Sequence, residues 1–167
     1  MKIQTFLLIV MLTLVLPVLA NAQSGADEST IRHVVQYYFD GWKNNDVESM
    51  KKAFHPKAKW FFQSDKYDLR EVPISQVYAN TRETARQKSS ESKPVVGRIV
   101  SIDITGEAAT VKVEIDYPTA YVGVNVDLRT APRGARQTEY LSLIKFPEGW
   151  RIIGKVGSIQ STHVAQR

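Results

Sequence analysis

His55 and Tyr38 are the side chains best placed for acid–base chemistry in this sequence. Histidine is the residue type suited to proton transfer at physiological pH, and His55 stands directly before Pro56, at the end of a helical stretch. Tyr38 falls on the apolar side of an amphipathic stretch, where a hydroxyl can make one directed hydrogen bond. Each also has a purely structural reading: a histidine after a helix caps carbonyls, and a core tyrosine needs a single partner. Trp42, Trp60, Phe62, Tyr78 and Tyr140 join Tyr38 as a candidate ligand-pocket wall. Large rings with one polar edge stack on flat ligands, or they plug a core.

Other chemistries find little support. His33 and His163 have no helical pairing with His55, so no metal site is expected. Cysteine is absent, which excludes a thiolate metal site, a disulfide framework and lipid attachment at an N-terminal cysteine. The serines lack nucleophile-elbow glycines, and no glycine-rich phosphate loop is present. No cofactor is called for. Arg129, Arg133 and Arg136 form the one local concentration of positive charge, an anion clamp or a solvated loop. The formal net charge of +5 is otherwise spread along the chain. A nucleic-acid binder would gather it on one face with aromatics between, so no nucleic-acid partner is expected.

The elements that must position these groups follow from periodicity. Residues 1–22 read as a secretory signal: Lys2, an apolar run from Phe6 to Ala20, then Ala20-Asn21-Ala22 as a small-x-small cleavage site. The run is shorter than the ~20 residues a membrane span needs, so no stable membrane anchor is expected after processing. A flexible N-terminus is expected over 23–29, one domain over 30–158 and a flexible tail over 159–167. About 145 residues after processing suffice for a single core.

Ile31, Val34, Val35, Tyr38, Phe39 and Trp42 repeat at helical spacing, with Arg32, Gln36, Asp40 and Lys43 opposite. Asp27 to Thr30 supply caps, Gly41 weakens the last turn, and Asn44-Asn45 ends it. Asp46 caps a short helix over Val47–Phe54, which Pro56 stops. A strand over Ala58–Gln63, a second over Tyr67–Val72 and a helix over Ser75–Gln87 follow, with Val77 and Tyr78 inward. Lys88 to Lys93 is polar linker. Strict alternation from Ala109 to Tyr117 buries one face, and turns Glu114 and Asp116 away from it. Thr138–Phe146 and Trp150–Val156 form a last pair, and the Pro118–Ala135 segment lies between. Helices followed by antiparallel strands make an α+β order.

Tyr38-Phe39-Asp40-Gly41-Trp42 with Asn45-Asp46, Phe54-His55-Pro56-Lys57-Ala58, Tyr140 to Lys145 and Gly149 to Ile153 together resemble the nuclear-transport-factor-two-like superfamily. That superfamily includes ketosteroid isomerases and SnoaL-like polyketide cyclases, and the sequence is most similar to its lumazine-binding group. The resemblance covers about Thr30 to Val156. It implies a cone-shaped, cystatin-like α+β roll, with a curved antiparallel or mixed sheet wrapped around the long N-terminal helix. It also implies a homodimer through the outer sheet face. It puts Tyr38 at the isomerases' oxyanion-hole tyrosine and Phe62 at their general base. Phenylalanine cannot accept a proton, so that proton shuttle lacks its base.

The expectation is an exported, periplasmic or extracellular, non-catalytic domain binding a small hydrophobic or aromatic ligand. The alternatives are an isomerase, cyclase or dehydratase using Tyr38 and His55, or a sheet-mediated dimerisation or interaction module.

Overall fold

The structure, a computed structural model, describes residues 25–63, 68–87, 95–117 and 135–161. The signal over 1–22, the Lys88–Lys93 linker, most of the Pro118–Ala135 segment with Arg129 and Arg133, and His163 lie outside the described residues.

Helix α1 covers 25–44. Ile31, Val34, Val35, Tyr38 and Trp42 are all buried, while His33, Gln36, Tyr37 and Lys43 are exposed. The helix begins within the stretch expected to be a flexible terminus. Its anchor there is Asp27, which accepts a hydrogen bond from Trp150 Nε1 at 3.0 Å and pairs with Lys145 at 2.6 Å. Asn45 closes α1 in the left-handed region, at φ 54°. Helix α2 (Val47–Ala53) then starts from Asp46, whose carboxylate accepts the backbone N–H groups of Glu48 and Ser49. Gly41 is there for contact: a Cβ would stand 2.5 Å from Met50 Cγ and 2.9 Å from the Asp46 carbonyl oxygen. The short residue lets α1 and α2 touch backbone to backbone.

Strand β1 (Phe54–Gln63) follows α2 without a break, so His55 and Pro56 lie inside a strand rather than between elements. Proline is tolerated there because the pairing with the neighbouring strand is interrupted between Phe54 and Lys59. Next come β2 (Leu69–Pro73), helix α3 (Ile74–Gln87), β3 (Val96–Thr105), β4 (Ala108–Tyr117), β5 (Ala135–Phe146) and β6 (Gly149–Ser161). Val77 and Tyr78 on α3 are buried. Strand β6 runs on through 159–161, where a tail was expected, because Ser158 to Ser161 pair with Thr138 to Ala135.

The six strands form one mixed sheet in the order β2-β1-β6-β5-β4-β3. β1 and β6 are parallel, and every other neighbouring pair is antiparallel. Register shifts at 54/59, 99/101 and 142/143 mark bulges, the devices by which a sheet bends. Helix α1 crosses the inner face diagonally. It meets Trp150 on β6 near its start, Glu139 and Lys155 in its middle, and Tyr117 on β4 near its end. Gly97 on β3 lies flat against the Phe39 ring, whose atoms would be 2.6–2.7 Å from an added Cβ. The core fills the space between helix and sheet.

Candidate functional site

The middle of α1 faces a charged network sealed inside the core. On β5, Leu141 and Leu143 point inward, and period-two alternation carries Glu139 inward with them. On β6, Trp150 and Ile152 point inward. The shift in pairing at Ser142/Leu143 leaves Ile153 unpaired and brings Lys155 to the same face. Glu139 is 0% exposed and Lys155 6%. Lys155 Nζ donates to Glu139 Oε1 at 2.5 Å, and the Tyr38 hydroxyl donates to Glu139 Oε2 at 2.7 Å. Nζ also reaches the Tyr38 oxygen at 3.2 Å. Both carboxylate oxygens are therefore engaged by donors within the core.

Rings enclose this network. Trp60 neighbours Lys155 across the β1–β6 pairing, and the ammonium lies 3.5 Å from its ring centroid. Tyr38, Phe54, Trp60 and Trp42 pack edge-on or tilted, with centroids 5.3–6.4 Å apart. Burial, reinforced by the Glu139 charge, pushes the Tyr38 hydroxyl well above its ordinary range. Burial lowers the Lys155 ammonium below its ordinary value, although Glu139 opposes the shift. A second polar chain lies toward the end of β4: Trp42 Nε1 donates to the Tyr117 oxygen at 3.3 Å, and Tyr117 donates to Gln137 Oε1 at 2.9 Å.

Trp42 also walls a cavity of about 210 Å³ between α1 and the start of β3. Phe39, Val96 and Ile115 supply apolar surface there, while Asp40 and Lys43 stand at its polar side. Trp42 thus has the cavity against one part of its surface and Trp60 against another.

The predicted site residues divide. Tyr38, Trp42 and Trp60 come together in the interior. Phe62 is half-buried at the same end of β1, with the Arg70 guanidinium 5.6 Å from its ring. Tyr78 lies on α3, its hydroxyl buried without a hydrogen-bond partner and its pKa pushed up to about 12 by burial and then by Glu48. Tyr140 faces the other way. It is 55% exposed on the outer sheet surface, where Lys112 and Val156 are its cross-strand neighbours. His55 is not joined to Tyr38: its ring stacks on Phe146 at 4.9 Å, and its Nδ1 accepts the Lys57 backbone N–H at 3.1 Å. Glu114 and Asp116 do face outward, paired with Arg98 and Arg136. Arg136 is thereby a sheet residue in an ion pair. Among the described residues no group of three or more His, Asp or Glu side chains could hold a metal ion.

Glu139 and Lys155 are the residues that sequence reasoning missed. For Glu139 a signal existed, since Leu141 and Leu143 fix the inward parity of β5. For Lys155 the bulge hides it.

A family model described as "Putative lumazine-binding" matches residues 26–157. No curated protein matches the sequence. Among solved structures, an NTF2-like protein of unknown function from Shewanella baltica OS155 is 22% identical, covers 81% of this chain and 94% of its own, and superposes with a TM-score of 0.62. An NTF2-like protein of unknown function from Methylobacillus flagellatus KT is 24% identical over 81% of this chain and 93% of its own, with a TM-score of 0.61. The association domain of C. elegans CaMKII is 16% identical over 80% of this chain and 96% of its own, with a TM-score of 0.56. At these identities the likeness is one of fold.

Proposed function

The chain belongs to the family described as "Putative lumazine-binding" and has the fold of NTF2-like proteins, and from that premise we propose that it is an exported, non-catalytic domain that binds a small, flat, largely apolar molecule. The observation that carries the proposal is the cavity of about 210 Å³ against Trp42, apolar on its walls and charged at Asp40 and Lys43. Pockets for drug-sized ligands run to roughly 300–1,000 Å³. This one therefore suits a molecule of one or two rings, stacked on the indole and oriented by the polar side.

Two arrangements support the non-catalytic half of the reading. The resemblance to ketosteroid isomerases puts Phe62, which cannot accept a proton, at the position of their base. The Glu139 carboxylate beside Tyr38 already has both oxygens bonded and no exposed surface. A general base must reach the proton it removes, and Glu139 is held out of reach. Export is supported by the leader-like residues 1–22. Mass analysis of the protein recovered from cells should give a mature N-terminus at Gln23, and a chain retaining Met1 in the cytoplasm would refute that part.

Binding is tested by titrating the protein with flat heteroaromatic compounds, lumazine among them, and with steroid-like compounds. Tryptophan fluorescence and melting temperature are followed together. The expected result is quenching and a raised melting temperature with one class, both lost in Trp42→Ala. No response to any class would overturn the reading.

A second reading has its own observation. Tyr140 and Val156 are cross-strand neighbours, 55% and 53% exposed, and Phe61 extends the same row onto β1. Such an apolar row on an outer sheet face fits homodimerisation, and a protein of the same fold serves as an association domain. Light scattering should then report a dimer that Tyr140→Asp converts to monomer; a monomeric wild type at high concentration would sink this reading.

A further inference from the structure

The two charges on the polar side of the Trp42 cavity are unequal, and the difference bears on what the cavity takes. Gln36, Phe39, Asp40 and Lys43 stand at i, i+3, i+4 and i+7, one stripe of α1 that lines the cavity. Gln36 Nε2 donates to Asp40 Oδ1 at 2.9 Å, which holds the carboxylate in place. Asp40 is half-buried, and among the described residues its Oδ2 has no hydrogen-bond or ion-pair partner. Lys43 is exposed, and its long stem lets the ammonium swing into water. Among the described residues it is the one cation in the lining. The fixed charge at the cavity is therefore negative. The helix adds to it: α1 ends at Asn44, and the carbonyl dipoles gathered in its last turn favour a cation nearby.

The other wall is apolar. Val96 and Gly97 on β3 and Ile115 on β4 face the stripe. A planar ring filling this space would lie against Trp42 and strip water from Asp40. Desolvating a carboxylate is costly unless donors replace the water. A hydrocarbon ring offers none, and a carbonyl or carboxylate edge would set acceptor against acceptor. An N–C–N edge, with an amino group beside a ring N–H, supplies two parallel donors that match the two oxygens of a carboxylate, as an arginine fork does. Oδ1 keeps a second lone pair beside its bond from Gln36, so both oxygens of Asp40 can accept. Positive charge spread over such a ring is also attracted to an indole face.

Building on the small-molecule reading of this cavity, we propose that its ligand is a flat heteroaromatic cation of the amidinium type, an amino group beside a protonated ring nitrogen, and that Asp40 selects it through a paired hydrogen bond. Gln36 is a positioning residue, acting through the carboxylate it holds. Trp42 supplies the surface on which the ring rests.

The test is calorimetric titration of the intact protein, at about pH 6.5, with three compounds of similar two-ring shape. They are protonated 2-aminobenzimidazole, uncharged 2-methylindole and the anion indole-2-carboxylate. The cation should bind about 10-fold or more tighter than either of the others, since its hydrogen bonds are charge-assisted. Asp40→Asn should erase most of that preference, and Gln36→Ala should reduce it. The melting temperature of each unliganded variant checks that it is folded, and the wild-type order alone already tests the claim. If the uncharged or anionic compound binds as well as the cation, or if the preference survives in Asp40→Asn, the proposal is overturned while the cavity keeps its role as a binding site. An anion bound most tightly would hand the selection to Lys43. If none of the three binds, this proposal falls, and the wider compound series followed by fluorescence decides whether the binding reading falls with it.

Discussion

Replacing Lys155 with methionine should be among the most damaging single changes available to this fold, and the damage should be reversible by further substitution. With the charges 2.5 Å apart and an effective dielectric constant of about 20, their attraction is about 7 kcal/mol. Desolvating each ion costs several kcal/mol, so the intact pair is nearly neutral for stability. Breaking it is another matter. Lys155→Met leaves Glu139 charged, 0% exposed and held only by Tyr38, which should cost about 3–5 kcal/mol. Adding Glu139→Met removes the stranded charge and should recover most of that loss. It leaves the Tyr38 hydroxyl unpaired, at about 1–3 kcal/mol, until Tyr38→Phe is added. Urea unfolding of the single, double and triple variants measures each step. A loss below about 1 kcal/mol in Lys155→Met, or a double variant no more stable than the single, would refute the claim that the three groups act as one buried unit.

Gly41→Ala should destabilise by about 1–3 kcal/mol in urea unfolding, because the added methyl meets backbone atoms of Asp46 and Met50 at 2.9 Å that cannot swing aside. Asp27→Ala removes the acceptor for Trp150 Nε1 and Lys145, and should cost about 1.5–3 kcal/mol with early loss of helical signal at the start of α1. Tyr38 and Tyr78 hold their protons more tightly when folded. Above about pH 10 the unfolded chain therefore loses protons that the folded chain retains, and stability must fall as pH rises, through about 12 for Tyr78. Lys155, with its affinity lowered, contributes in the opposite sense: the unfolded chain holds that proton longer, so stability rises toward about pH 10.4, its unfolded value. Urea midpoints from pH 8 to 12 should thus turn downward near 10, and Tyr78→Phe should flatten the fall; an unchanged slope would refute the assignment.

Much of the scaffold was legible because burial imposes simple periods. The i, i+3, i+4 repeat from Ile31 to Trp42 and the alternation from Ala109 to Tyr117 each declare an inner face, and those faces are the buried ones. The site was harder to read, for reasons that differ by residue. Tyr140 looks like a pocket aromatic by type, yet Leu141 and Leu143 set the parity that turns it outward and Glu139 inward. Parity outranks residue type in a strand whose one face is packed. Lys155 breaks the alternation of β6 through the unpaired Ile153, and nothing in the local sequence announces that bulge. Gly41 read as a weak point in a helix because its neighbour Met50 belongs to the next one. His55-Pro56 read as a stop, whereas β1 carries both residues through an interruption in its pairing with β6.

The position of β6 within the sheet has a consequence for how the molecule assembles. It is the last of the described strands, yet it sits between β1 and β5, joining the β2-β1 half to the β5-β4-β3 half. Tyr38 and Lys155 lie 117 positions apart, so the partners that close the interior come from distant parts of the sequence. Contacts of that span exact a large entropy of loop closure before they return anything, which slows folding. A nascent chain that has not yet reached β6 holds two unjoined ribbons, and the domain takes form only once that strand has been made.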